Sequence, residues 1–146
     1  MSTKSTPSIH LTSRGKHAVL ALIELEKLQK QNPVSLANIG KTVDISVSYL
    51  EQLFSCMRRD GLVKSYRGPG GGYVLGREAE DINIAEILLT AQYCLQRDNK
   101  KPANSNKNLD TLWSKVGTVL YGYLSQISLA EASNENINDI FDAISL

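Results

Sequence analysis

A chain of 146 residues has room for one compact domain, or for one domain with an appended helix. With 42% hydrophobic and 21% charged residues it is too apolar for a disordered segment, and four prolines and ten glycines exclude a collagen-like or low-complexity chain. No apolar run reaches the roughly 20 residues that cross a bilayer. The opening MSTKSTPSIHLTSRGK lacks the apolar core of a secretory signal, so a cytoplasmic location with no membrane partner is expected. The two cysteines, Cys56 and Cys94, lie far apart in sequence, which reads against a disulfide framework and against a zinc site of the paired CxxC kind.

The net charge of +1 conceals an asymmetry. Through Glu80 there are eleven lysines and arginines against seven acids; beyond it there are five against eight, and nothing basic follows Lys115. A basic first part ahead of an acidic one suits a polyanion-binding module joined to a segment with a different task.

Residues 1–10, rich in Ser and Thr, read as a frayed, disordered tail. From Thr12 to about Gln29, Ala18, Val19, Leu22, Ile23, Leu25 and Leu28 recur at helical spacing, and Asn32-Pro33 ends that helix. Ser35 can cap a second helix through Leu36, Ala37, Ile39 and Val43. After a tight break at Asp44-Ile45, a third helix starts at Ser46 or at Ser48, which forms a Ser-x-x-Glu capping box with Glu51. Its inward stripe is Leu50, Leu53, Phe54 and Met57, and Gly61 follows as a stop. Leu62–Tyr66 and Gly72–Leu75 then read as strands, and the short connection Arg67-Gly68-Pro69-Gly70-Gly71 pairs them as a hairpin.

Asn83 with Glu86 caps a helix carrying Ile84, Ile87, Leu88 and Ala91, and residues 97–108 read as an exposed loop. A long helix is expected from about Leu109 to Ser128, with Leu112, Trp113, Val116, Val119, Leu120, Tyr123, Leu124 and Ile127 along one stripe. Ser128 and Glu131 form a last capping pair, ahead of a short helix bearing Ile137, Ile140, Phe141 and Ile144.

Three helices followed by a glycine-tipped hairpin give a mainly α fold, a winged helix-turn-helix with a two-stranded wing. The capped end of the third helix presents Ser46, Ser48, Tyr49 and Gln52, groups able to meet base edges or phosphates in a major groove. Arg67 at the wing tip suits the narrow, negative minor groove. Arg14 and Lys16 are placed for phosphate contacts. The long helix exceeds what so small a core can cover, so Leu112, Trp113, Val116, Leu120, Tyr123, Leu124 and Ile127 are expected to form a homodimer seam. GPGGGY lacks the Lys-Ser/Thr of a P-loop and joins strand to strand, and no catalytic arrangement is legible. The rival is a dimeric protein-interaction module that has lost DNA binding.

The stretches LTSRGKHAVLAL at Leu11–Leu22, ISVSYLEQLF at Ile45–Phe54 and GLVKSYRGPGGGYVLG at Gly61–Gly76 resemble the IscR/NsrR/CymR family of dimeric winged-helix transcription regulators, most closely its IscR-like members. The similarity runs from Leu11 to about Leu129. It implies a DNA-binding domain over residues 11–80, with the helix at Ser46–Arg59 as recognition helix and Arg67, Gly70 and Gly71 in a minor-groove wing. Thr12 and Tyr73, at the edges of the same motifs, complete the DNA-binding set. It further implies a linking helix and sensor-type loop over 81–108, then a dimerisation helix and C-terminal helix over 109–146, with duplex DNA and a second copy as partners.

IscR-like members also hold an iron–sulfur cluster on three cysteines and a histidine ahead of the long helix. By alignment on Trp113, Cys94 stands at the first cysteine position, the Asp98–Ala103 region lacks the second, Lys107 replaces the third, and Asp110 replaces the histidine. Cys94 and Asp110 are half a ligand set, so a conventional cluster is not expected, and a non-standard one has only these two to build on. Cys56 reads as a half-buried small apolar residue. Cys94, ahead of Arg97, Lys100 and Lys101, is the thiol expected to sense.

Overall fold

The computed structural model describes residues 6–30, 32–94 and 106–134. Helix α1 (Ser13–Gln29) starts where the Thr12 hydroxyl accepts the Gly15 N–H at 3.0 Å, and it buries Ala18, Leu22 and Leu25 completely. Helix α2 (Leu36–Val43) is capped by Ser35 and closed by Asp44 in the left-handed conformation, φ 56°. The chain then turns sharply into α3 (Val47–Arg59). That turn needs Gly40, where a Cβ would come within 2.7 Å of the Ile45 carbonyl oxygen. Of the two serines able to cap α3, Ser46 does so, accepting the Tyr49 N–H at 3.3 Å; Ser48 lies inside the helix and is exposed.

Strands β1 (Val63–Tyr66) and β2 (Gly72–Leu75) pair antiparallel, Val63 opposite Leu75 and Tyr66 opposite Gly72. Gly68 and Gly70, at φ 98° and 75°, carry the turn between them, in backbone conformations that other residues rarely adopt. Val34 bridges Tyr73 through two hydrogen bonds of 2.9 and 2.8 Å, tying the wing to the entrance of α2. After a 3₁₀ turn at Ala79–Asp81, a full Asn83/Glu86 capping box opens α4 (Ile84–Tyr93). Helices α5 (Lys107–Leu124) and α6 (Leu129–Asn134) follow. Phe54, Leu22, Leu25, Ile39, Leu50, Leu53, Met57, Leu62, Ile82 and Ile87 form one continuous core. Each such side chain contributes about 1.5–3 kcal/mol when fully buried.

Three expectations are corrected. The N-terminal tail is docked as far as the structure describes it. Ile9 is buried and donates its N–H to the Gly117 carbonyl at 3.1 Å, Ser8 Oγ donates to the Ser114 carbonyl, and Gln92 brackets Ser8 and His10. A single apolar residue has no period to show, so its anchoring is invisible in sequence. Lys107 and Asn108 belong to α5 rather than to a loop, because the Asn106 side chain caps the helix by accepting from the N–H groups of Asn108 and Leu109. The same helix ends at Leu124, short of Ser128. There the chain turns so that Ile84 donates to the Ile127 carbonyl and Leu129 to the Ile82 carbonyl. The Ser128/Glu131 pair does form, at the start of α6. Ile137, Ile140, Phe141 and Ile144, and the basic residues of the 97–101 stretch, lie outside the described residues.

The docked tail leads to a stability prediction. A Cβ on Gly117 would run into Ser8 Oγ and within 2.8 Å of the Ile9 carbonyl oxygen. Gly117→Ala is therefore expected to cost about 1–3 kcal/mol by overpacking, visible in thermal denaturation as a drop of several degrees. An unchanged melting temperature would show that the tail is not held against α5.

Candidate nucleic-acid interface and the cysteine pair

The capped end of α3 and the wing belong to one rigid surface. Phe54 packs on Tyr73 with ring centroids 4.9 Å apart, and at the surface Arg58 Nη1 donates to Ser65 Oγ at 3.4 Å, so helix and hairpin are held together. Ser46, Ser48 and Gln52 are exposed on α3, and Arg67, Gly68, Pro69 and Gly70 are exposed at the wing tip. At Gly71 a Cβ would come within 2.8 Å of the Gly68 carbonyl oxygen, so the tight tip needs glycine there for space. Lys16 on α1 and Lys64 on β1 are exposed as well.

Several other residues expected at the DNA also make contacts within the protein. Thr12 is the cap of α1. The Tyr49 hydroxyl lies 3.2 Å from His17 Nδ1, with its ring edge-on to the imidazole at 5.4 Å. Tyr73 turns its ring onto Phe54, because strand alternation sends position 73 to the core side of the hairpin. The aromatic on the wing that faces outward is Tyr66. Arg14 donates to the Cys94 carbonyl at 2.6 Å, a partner on another helix that no sequence pattern could announce. Arg59 pairs with Asp60 at 3.5 Å on the surface, a contact of little energetic consequence.

The expected seam on α5 divides. Leu112, Trp113, Val116 and Tyr123 are exposed, with Leu112 and Trp113 at 55%. Val119, at 72%, is the most exposed large apolar residue described. Leu120 and Ile127 are half-buried against the protomer's own core. Leu124 is corrected: it is 1% exposed, buried within the protomer, because α5 ends there and its last turn leans on the helical core.

The cysteines overturn the sequence reading. Cys56, on α3, and Cys94, capping α4, are joined as a disulfide with Cα atoms 5.8 Å apart. Separation along the chain hid the contact, since α3 packs directly on α4. Cys56 is therefore no solitary apolar filler, and Cys94 is fully buried rather than set in an exposed segment.

These positions bear on an iron–sulfur group. The Cys94 sulfur is committed to Cys56, Asp110 stands exposed on the first turn of α5, and Lys107 is a cation on the same turn. Among the described residues no group of three or more His, Cys, Asp or Glu is placed to hold a metal ion. The described donor set does not fit a cluster.

The family model Rrf2, described as an iron-dependent transcriptional regulator, matches residues 11–135. The transcriptional regulator IscR of Photorhabdus laumondii is 38% identical over 138 residues, covering 90% of this chain and 84% of that protein. IscR of Escherichia coli O1:K1 is 36% identical over 138 residues, covering 90% and 85%. Among solved structures, T. potens IscR superposes with a TM-score of 0.66 at 31% identity, covering 94% of this chain and 93% of that one. CymR, the global cysteine regulator of B. subtilis, gives 0.66 at 30%, covering 86% and 96%. Among the described residues no helix is long and apolar enough to cross a membrane.

Proposed function

Because the chain belongs to the Rrf2 family of transcriptional regulators, which are not enzymes, we propose that it binds a specific pseudo-palindromic operator in duplex DNA as a homodimer in the cytoplasm. The observation that supports this reading best is the shared surface of α3 and the wing. Its hydrogen-bonding side chains Ser46, Ser48 and Gln52 stand beside a hairpin ending in Arg67, with Lys16 and Lys64 exposed. The helix end offers N–H groups and hydroxyls to base edges and phosphates, and the wing cation offers charge to the minor groove. The exposed apolar face of α5 is the place for the second copy, whose two-fold symmetry would set half-sites about one helical turn, or a multiple, apart. Cys94 takes part in sensing the signal through thiol chemistry rather than through a cluster. Iron and a broad visible absorption in anaerobically purified protein would overturn that part.

Titration of operator fragments against salt tests the DNA reading. With Lys16 and Lys64 of both protomers on phosphates, log K should fall with log salt at a slope of about −4. A protein-interaction module on the same fold would show weak, shallow and sequence-indifferent binding.

A further inference from the structure

We propose that Cys56 and Cys94 are a reversible dithiol–disulfide switch that sets how firmly the recognition helix is held, and with it operator affinity; the affinity part rests on the DNA-binding reading above. The Cα separation of 5.8 Å lies within the 4.4–6.8 Å that a disulfide spans. The two residues belong to different functional elements. Cys56 sits on α3 one turn beyond Gln52, and the Cys94 sulfur lies 3.7 Å from the Gln52 carbonyl oxygen. Cys94 closes α4, which packs on α5, the helix that offers its exposed face to a second copy. A bond between α3 and α4 thus ties the base-facing helix to the frame that would fix the distance between two recognition helices. Thr90, donating to Asp60 at 2.8 Å, holds the same two helices without regard to redox state, so the thiol pair has a hinge to act against.

The chemistry needs a two-electron oxidant such as hydrogen peroxide. The Cys56 sulfur, which belongs to the more accessible residue of the two at 7% against 0%, attacks a peroxide oxygen as thiolate and becomes a sulfenic acid, releasing hydroxide that is protonated to water. The Cys94 thiolate then attacks that sulfur, forming the S–S bond and expelling the second oxygen as water. Two thiols are oxidised and one peroxide is reduced to two waters. The Arg14 guanidinium, donating to the Cys94 carbonyl, holds the backbone that carries the second thiol. Glutathione reverses the reaction by thiol–disulfide exchange, so the pair rests as the dithiol in a reducing cytoplasm. The bonded form is the tighter binder, because the bond removes in advance freedom of α3 that DNA binding otherwise has to remove.

The full chain, equilibrated in glutathione buffers from fully reduced to fully oxidised, tests this by mass-spectrometric counting of alkylated thiols, operator titration and melting temperature. Both thiols should disappear together, affinity should rise about tenfold on oxidation, and Cys56→Ala and Cys94→Ala should each remain at the reduced value in every buffer. Thiols that persist under oxidation, a disulfide that survives the fully reduced buffer, an affinity that is equal or weaker when oxidised, or single variants that respond like the parent would each overturn the switch. Failure to bind an operator in either form would strike the DNA reading instead. The tie would then be judged on melting temperature, which must rise on oxidation in the parent and in neither variant; no rise overturns it.

Discussion

Arg67→Ala is expected to lower operator affinity about ten- to hundred-fold, the equivalent of about 1–3 kcal/mol for one specific arginine contact. Arg67 is exposed at the tip of a hairpin whose turn is carried by Gly68 and Gly70, and among the described residues it has no hydrogen-bond or ion-pair partner. Its removal therefore leaves the core untouched, and the melting temperature should stay within a degree or two of the parent. The hairpin is held from behind by the Phe54–Tyr73 contact and the Val34 bridge, so the wing keeps its place without the arginine. Fluorescence anisotropy at fixed salt, with operators differing in A·T content beside each half-site, separates two origins of the loss. A penalty concentrated on narrow, A·T-rich minor grooves marks insertion into the groove; a uniform penalty with a shallower salt slope marks a phosphate contact. Unchanged affinity in a folded variant would remove the wing from the interface.

The order of helices and strands was legible because each carries a local signal. Ser35 and Ser46 cap, Asn83 and Glu86 form their box, and the inward stripe of α3 repeats at helical spacing. What could not be read was set by contacts between elements distant in sequence. Tyr73 looked like a wing residue because it sits in the wing motif, yet the register opposite Ser65 turns its ring onto Phe54. Arg14 is basic and near a helix start, which suits a phosphate contact, and the hydrogen bond from its Nη1 to the Cys94 carbonyl has no signal in the sequence. The cysteine pair belongs with these. Nothing in the spacing of Cys56 and Cys94 marks them as neighbours; only the packing of α3 against α4 does.

The long helix shows the same boundary from the other side. Its apolar stripe was evident, but periodicity cannot say which residues meet their own core and which face outward, since both obey one spacing. Leu124 meets the core and Val119 faces out.

That division makes the dimer prediction sharper than the stripe alone allows. Leu112→Glu combined with Val119→Glu is expected to give a folded monomer. The wild-type side chains are 55% and 72% exposed in the protomer, so carboxylates there reach water and the core loses nothing. Across a two-fold seam the same substitutions set like charges from both copies into an apolar contact that specific interfaces build from roughly 1,600 Å² of buried surface, and that repulsion and desolvation oppose association. Light scattering should report one chain's mass, and circular dichroism should show an intact helical signal. Operator affinity should fall by more than about a hundredfold, because each monomer engages a single half-site and the effective concentration that links the two is lost. Leu124→Glu is the contrasting control. At 1% exposure its carboxylate would enter the helical core, so that variant should lose stability by about 3 kcal/mol or more and unfold rather than dissociate. If the Leu112/Val119 variant stays dimeric while Leu124→Glu unfolds, the seam lies elsewhere on the molecule, and the exposed face of α5 must be assigned to a different partner.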